Sequence, residues 1–336
     1  MFDVPRVGAA FVLVALGVGC QSSSAKPSHA CSEAQALQSA KMRGNGLPPK
    51  TISLTFDDGP GVRTVELSHW LRDQGVRVAF FVNGKNVPAG AEGEAVLRAI
   101  VDDGHVLGNH TETHADLTKL TPEAIVDEVA RTDAIIAPFV PDQRFMFRPP
   151  YGAWNDAVLA ALDASPMSKY VGPVDWDLGF QWGPGMAADW DCWSPNGASD
   201  PPVVDVATCG DLYLQQIRAA GSGVVLLHDP YFIDDKKENG GTVDMVMNIV
   251  PVLKAEGFTF VRVDEVPSLA AVLPPLATPV ADAGSDGATS SSSSTSSSAS
   301  SSSSTGGAAI DAPTASASGG SSDPCSSSPQ TRATNH

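Results

Sequence analysis

The chain has 336 residues, with 38 acidic against 21 basic side chains and a formal net charge of -17. No basic cluster or aromatic-basic interleaving runs along it, so nucleic acid and anionic lipid surfaces are poor partners. A Ser-rich final stretch cannot bury enough apolar surface to fold, and the five Cys include no C-x-x-C pair, which excludes a zinc ribbon or a disulfide-dense miniprotein.

In chain order, residues 1–20 read as a secretory signal: Arg6 precedes an apolar run from Val7 to Gly19 that is too short to span a bilayer. The small residues before Cys20 are similar to the processing site of bacterial lipoproteins, although Gly17 departs from the usual pattern. Two outcomes stay open, a lipidated Cys20 in the cell envelope or ordinary cleavage and secretion. Residues 21–50 read as a tether and lead-in, 51–270 as the one catalytic domain, and 271–336 as an unfolded Ser-, Ala- and Pro-rich tail.

Within the domain, short apolar runs are expected as strands at 51–56, 76–82, 106–109, 145–148, 170–176, 224–228 and 258–263. Helical patterns alternate with them. Thr121 and Pro122 form an N-cap and first-turn pair ahead of the apolar face Ile125, Val129 and Ile136, and Pro138 ends that run. A second helix carries Val243, Val246, Val250 and Leu253, with Gly257 as its left-handed cap. This mostly βα order predicts an α/β fold, a distorted, incomplete (β/α) barrel of about seven parallel strands. Cys192 and Cys209 are close in sequence and are the pair expected to form a disulfide; Cys31 and Cys325 sit in polar flanks.

Active groups of such barrels sit on loops at the C-terminal strand ends, and here those ends are polar: Asp57-Asp58-Gly59-Pro60, His110-Thr111-Glu112-Thr113-His114, Arg148-Pro149-Pro150-Tyr151, Trp176-Asp177 and His228-Asp229. Adjacent carboxylates at a strand end point in different directions, so Asp57 and Asp58 should serve different tasks. Taken alone they also fit a plain Asp-Asp-Gly-Pro turn. His110 and His114, four apart, can meet one metal if the segment turns helically. A zinc peptidase would want Glu directly after the first His, and Thr111 stands there.

Taken together, the motifs TFDDGP, HTETH, RPPYG and LLHD, each ending an expected strand, resemble the polysaccharide deacetylases, the family 4 carbohydrate esterases. The match covers roughly 51–265. The resemblance implies an incomplete (β/α) barrel and hydrolysis of N-acetyl groups from a polysaccharide, peptidoglycan or a chitin-like N-acetylglucosamine polymer. It assigns Asp58, His110 and His114 to a divalent metal, zinc first and cobalt second. It also makes Asp57 the general base, Arg148 the residue that holds that base ionised, and His228 the acid that protonates the departing amine. The backbone N–H of Tyr151 joins the oxyanion site, and Leu227 walls the acetyl methyl or fills the barrel core. A further Asp beside a Trp should orient His228. Asp175, Asp177 and Asp189 compete for this role, with Asp189-Trp190 favoured because Trp190, Cys192 and Trp193 form a cluster beside the expected disulfide. Trp182, Trp190 and Trp193 are candidates for stacking on sugar rings or for a mini-core. An O-acetyl esterase acting on xylan-like polymers and a non-catalytic carbohydrate-binding surface lipoprotein are the alternatives.

Overall fold

The computed structural model describes residues 37–181, 186–193, 204–230 and 241–276. The signal segment, Cys20, Cys31, Cys325, Trp182 and the Ser-rich tail lie outside the described residues. None of the described helices is long and apolar enough to cross a membrane.

Seven strands and eight α-helices are present among the described residues: β1 (Leu37–Met42), β2 (Thr51–Asp57), α1 (Thr64–Asp73), β3 (Ala79–Val82), α2 (Ala91–Asp102), β4 (Val106–Asn109), α3 (Pro122–Ile136), α4 (Asp156–Asp163), β5 (Gly172–Val174), α5 (Asp189–Trp193), α6 (Val206–Ala220), β6 (Ser222–His228), α7 (Gly241–Ala255), β7 (Thr259–Phe260) and α8 (Pro267–Ala270). The punctuation is as expected. Thr121 Oγ1 accepts from the N–H of Ala124 at the start of α3, and Gly257 takes a positive φ of 82° past the end of α7.

Every strand pairing is parallel. The main sheet runs β4-β3-β2-β6, and β7 also pairs with β2. Because β6 lies along all of β2, from Thr51↔Ser222 to Asp57↔His228, β3 and β7 must share the other edge of β2. From β4 the circuit continues through single bridges, Asn109↔Phe147, Met146↔Val171 and Leu178↔Val225, which return it to β6. A ladder that is regular on one side and reduced to bridges on the other is a distorted, incomplete (β/α) barrel.

Two expectations need correcting. The 145–148 segment is extended but makes only bridges, because its backbone bonds alternate between Asn109 and Val171 without a run of register partners. The lead-in, in turn, supplies a strand: β1 pairs with β5. Packed structure therefore extends beyond 51–270 at both ends, since Leu273 is buried and Arg144 donates to the carbonyl of Pro274.

Strand periodicity sorts the two faces of β2. Ile52, Leu54 and Phe56 join Val78, Phe80, Val225 and Leu227 in a core covered by α1, α6 and α7. Thr51, Ser53, Thr55 and Asp57 lie on the opposite face, toward the barrel interior, and all four are buried. The lower interior is filled by Met42, Ala79, Phe81, Val106, Met146, Val171 and Val224. Polar side chains on the inner face of a central strand cost stability unless paired, so their partners identify where the interior is specialised.

Candidate active site

Asp57 is the last residue of β2 and keeps strand geometry, so its carboxylate points inward beside Thr55. It meets Arg148, which is fully buried. Arg148 Nη1 donates to Asp57 Oδ1 at 2.6 Å and to Thr55 Oγ1 at 2.9 Å, while Nε donates to the Val174 carbonyl at 3.2 Å. The Phe81 ring lies 4.1 Å from the guanidinium carbon. A buried charge pair with this many donors placed is an ion pair of the interior, which a surface pair cannot match in rigidity.

Asp58 turns out of the strand with a φ of 69°, and the cis Gly59-Pro60 bond follows. Thr111 and His114 in the HTETH segment and Tyr151 in RPPYG also adopt positive φ, so four of the seven such non-glycine residues among those described gather here. Each costs on the order of 1 to 3 kcal/mol and persists only where neighbours hold it. Those neighbours are polar. Asn83 Nδ2 donates to the carbonyls of His110 and Thr111, Asn109 Oδ1 accepts from the N–H of Thr111, and Asn86 Nδ2 donates to the carbonyl of Asp58 at 2.7 Å. Below the turn lies Asp229, fully buried, whose Oδ2 accepts from Thr64 Oγ1 and from the Gly61 N–H. A Cβ at Gly59 would meet this carboxylate at 2.5 Å, so only glycine fits. Burial, opposed by the bonds from Thr64 and Gly61, raises Asp229 to about 7.

The result is a donor cluster. Asp58 Oδ1 stands 3.5 Å from His110 Nε2 and 3.2 Å from His114 Nε2, and the three ligand atoms lie within 4.8 Å of one another. His110 Nδ1 contacts the Arg148 carbonyl at 2.7 Å, and since a carbonyl only accepts, Nδ1 carries a proton and Nε2 is the ring nitrogen turned to the cluster. Burial, reinforced by His110, pushes His114 down to about 4. Two imidazoles and a carboxylate converging on one point fit a divalent cation. Asp57 Oδ2, 3.7 Å from His110 Nε2, borders the same point. Glu112, between the two His, turns away to Arg131 at 2.9 Å.

Opposite Asp57, its register partner His228 ends β6. His228 Nδ1 donates to Asp189 Oδ1 at 2.8 Å and its backbone N–H to Asp189 Oδ2 at 2.7 Å. Burial alone would lower the imidazole, but the Asp189 carboxylate outweighs it, with further help from Asp58 and Asp57, and His228 is raised to about 9. Asp189 thus occupies the position expected of an orienting carboxylate. The other two candidates serve the lead-in: Asp175 pairs with Arg43 at 2.7 Å and with Lys41, and Asp177 accepts from the N–H groups of Gly44 and Val224. Cys192 and Cys209 form the expected disulfide, which joins α5, the carrier of Asp189, to α6.

Tyr151 is 67% exposed, and its ring packs edge-on against His114 with centroids 4.6 Å apart, so the turn carrying its N–H lies beside the donor cluster. Leu227 does not wall the site. It belongs to the helix-facing core, on the face opposite His228, and the period of two gives the site face to Leu226. Trp193 is also core, so of the stacking candidates only half-buried Trp190 remains among the described residues, placed next to Asp189 and donating its backbone N–H to Oδ1. Asp229, Asn83, Asn86, Tyr213 and Thr242 carry structural duties around the site that the sequence reading missed. Only Asp229 had a local signal, its place directly after His228 at a strand end.

Comparison with known proteins agrees with this geometry. The polysaccharide deacetylase family model matches residues 44–168. A chitooligosaccharide deacetylase of Rhizobium leguminosarum bv. trifolii is 31% identical over 221 residues, covering 64% of this chain and 90% of its own. A peptidoglycan-N-acetylglucosamine deacetylase of Bacillus cereus is 28% identical over 214 residues, 62% of this chain and 66% of the relative. A bifunctional xylanase/xylan deacetylase of Cellvibrio japonicus is 30% identical over 214 residues, 63% of this chain but only 27% of that much longer protein. The chain belongs to the polysaccharide deacetylase family, hydrolases acting on carbon–nitrogen bonds other than peptide bonds.

Proposed function

We propose that this protein is an exported, metal-dependent deacetylase that hydrolyses N-acetyl groups of an N-acetylglucosamine polymer, peptidoglycan or a chitin-like chain. One observation carries the reading: two oppositely equipped proton-handling groups, Asp57 with Arg148 and His228 with Asp189, flank the Asp58, His110 and His114 cluster. The residues that would hold the metal are those three, and the donor set suits zinc first, with cobalt next. When bound, such an ion polarises the acetyl carbonyl and acidifies a water.

Asp57, held in place by Arg148, accepts a proton at Oδ2 from the attacking water as the water oxygen bonds to the acetyl carbon. His228, whose Nδ1 proton is committed to Asp189, delivers a proton from Nε2 to the sugar nitrogen as the carbon–nitrogen bond breaks. Acetic acid and the free amine leave, the acid ionises in solvent, and the proton on Asp57 passes back to His228 to reset the pair. The Tyr151 backbone N–H supports the negative charge developing on the acetyl oxygen. Export to the cell envelope through a lipidated Cys20, or secretion, belongs to the same reading and accords with a polymeric extracellular substrate.

The test is acetate release from N-acetylglucosamine oligomers by the full chain, stripped of metal and then reloaded, beside a His110→Ala, His114→Ala double variant. Metal-dependent release that disappears in the variant is the expected result. Release from acetylated xylan alone would move the assignment to O-acetyl ester hydrolysis, the reading favoured by the Cellvibrio relative. Oligosaccharide binding without any acetate release would leave a binding protein.

A further inference from the structure

Asp189 is fully buried, and its carboxylate receives four donors. Oδ1 accepts from His228 Nδ1 at 2.8 Å and from the Trp190 backbone N–H at 2.9 Å; Oδ2 accepts from the His228 backbone N–H at 2.7 Å and from Thr242 Oγ1 at 2.7 Å. Two donors on each oxygen satisfy the group and fix its plane. Three of the four come from Trp190 and His228, the neighbours already implicated. The fourth comes from Thr242, near the start of α7 and 53 residues away in sequence.

The direction of that hydroxyl is itself set. Trp193 Nε1 lies 3.2 Å from Thr242 Oγ1, and an indole N–H can only donate. Thr242 therefore accepts from Trp193, and its one proton is committed to Asp189. Donors run in a single sense from Trp193 through Thr242 to Asp189, and from the other side His228 Nδ1–H points at the same carboxylate. Tyr213 completes the enclosure: its hydroxyl accepts from the Asp189 N–H at 2.9 Å and lies 3.2 Å from the Leu226 carbonyl. Chains of like-directed bonds in a buried setting reinforce one another, and loss of one member leaves a buried oxygen short of a donor.

We propose that Thr242, oriented by Trp193, is a positioning residue for proton delivery: it locks the plane of the Asp189 carboxylate and thereby the direction in which the His228 ring presents Nε2. This rests on His228 acting as the acid of the proposed reaction. Thr242 touches no reacting atom, so its removal should weaken the step that needs a proton on the leaving group and spare the attack of water. The isosteric Thr242→Val removes only the hydroxyl, Thr242→Ser restores it, and Trp193→Phe leaves the hydroxyl but frees its direction.

The experiment uses the full-length, metal-loaded protein and a series of acetate esters whose leaving alcohols range from weakly to strongly basic. In the wild type, His228 supplies a proton and kcat depends shallowly on alcohol basicity. Thr242→Val should lose no more than about threefold on the weakly basic leaving groups and about 10- to 100-fold on the strongly basic ones, with KM unchanged. Thr242→Ser should stay within about threefold of wild type throughout, and Trp193→Phe should fall between. A uniform loss across the series, or no loss at all, overturns the proposal. Nitrogen NMR of His228 in metal-free protein above pH 10 gives an independent reading: the neutral ring is protonated at Nδ1 in wild type and Thr242→Ser, and is a mixture of tautomers in Thr242→Val. An unchanged pattern in Thr242→Val also overturns it. Absence of acetate release from every substrate by wild type would sink the deacetylase reading, and the NMR comparison would still decide the role of Thr242.

Discussion

The two sides of the site are built differently. The side that carries Asp57, Asp58, His110 and His114 is assembled from short motifs at the ends of β2 and β4, two strands of one parallel sheet with β3 between them, and Arg148 reaches in from the adjoining extended segment. The side that carries His228 borrows its partner from a five-residue helix in a long connection, held by a disulfide to α6 and by hydroxyls from α6 and α7. The first side draws its rigidity from the sheet, the second from a bolted-on loop. Defects on the first side should therefore damage the fold along with the chemistry, whereas defects on the second should damage chemistry first.

Arg148→Ala gives the harshest break. It leaves the Asp57 carboxylate buried without its cation and should cost about 3 to 5 kcal/mol in denaturant unfolding, together with all measurable turnover. Arg148→Lys should not restore activity, because an ammonium cannot serve Asp57, Thr55 and Val174 from one planar fork.

Asp189→Asn sharpens the contrast on the other side. It should lower kcat by about 10² to 10⁴ while the protein stays folded, and should move the alkaline limb of the kcat–pH profile from near 9 to below the ordinary His value of about 6.5. The linkage sign follows from the raised value. The stabilisation that His228 draws from Asp189 is full below about pH 6.5 and fades as pH rises through about 9, so the Tm gap between wild type and Asp189→Asn should be largest at pH 6 and narrow by pH 9.

Replacing both Cys192 and Cys209 by Ser opens a loop with a sequence separation of 17 and should cost about 3 kcal/mol. Below its lowered melting temperature the variant should show the kcat loss of a misplaced Asp189 with metal content unchanged; a loss of metal as well would erase the distinction between the two sides. Asp229→Asn is the mildest change. Asp229, raised to about 7, favours the folded state below about pH 3.8 and weighs against it as pH rises through 7. The Asn variant should therefore gain about 1 to 2 kcal/mol relative to wild type between pH 4 and pH 8, read from paired urea melts.

The same division explains what could be read from the sequence. Motifs carried by local spacing, such as Asp57-Asp58 and His110 with His114, were legible because a parallel sheet places the C-terminal ends of all its strands on one side, here β2 and β4 flanking β3. Asp189 could be singled out from Asp175 and Asp177 only through the expected disulfide. Thr242 and Tyr213 were not legible at all: each is one polar residue in an apolar helical face, and its partner lies in another element. Leu227, which the resemblance offered as a methyl wall or as core, is core, because a strand's period of two puts Leu226 on the side of His228. Strand β1 escaped because Leu37-Gln38-Ser39-Ala40-Lys41-Met42 has no apolar run, and its partner Gly172–Val174 is far along the chain. The 145–148 run signalled extension correctly, but the register that decides between strand and bridge is a property of its neighbours.

The pairing of Asp57 with His228 across the β2–β6 ladder has one more consequence. Adjacent strands are held about 4.8 Å apart by their hydrogen bonds, so the backbone acts as a ruler between the proposed base and the proposed acid. Slipping the register by one residue would turn the inner face of either strand outward, so this spacing cannot drift gradually. Divergence toward new sugars is thereby channelled into the surrounding connections, where a change of length or sequence alters which polymer fits while the distance between Asp57 and His228 stays the same.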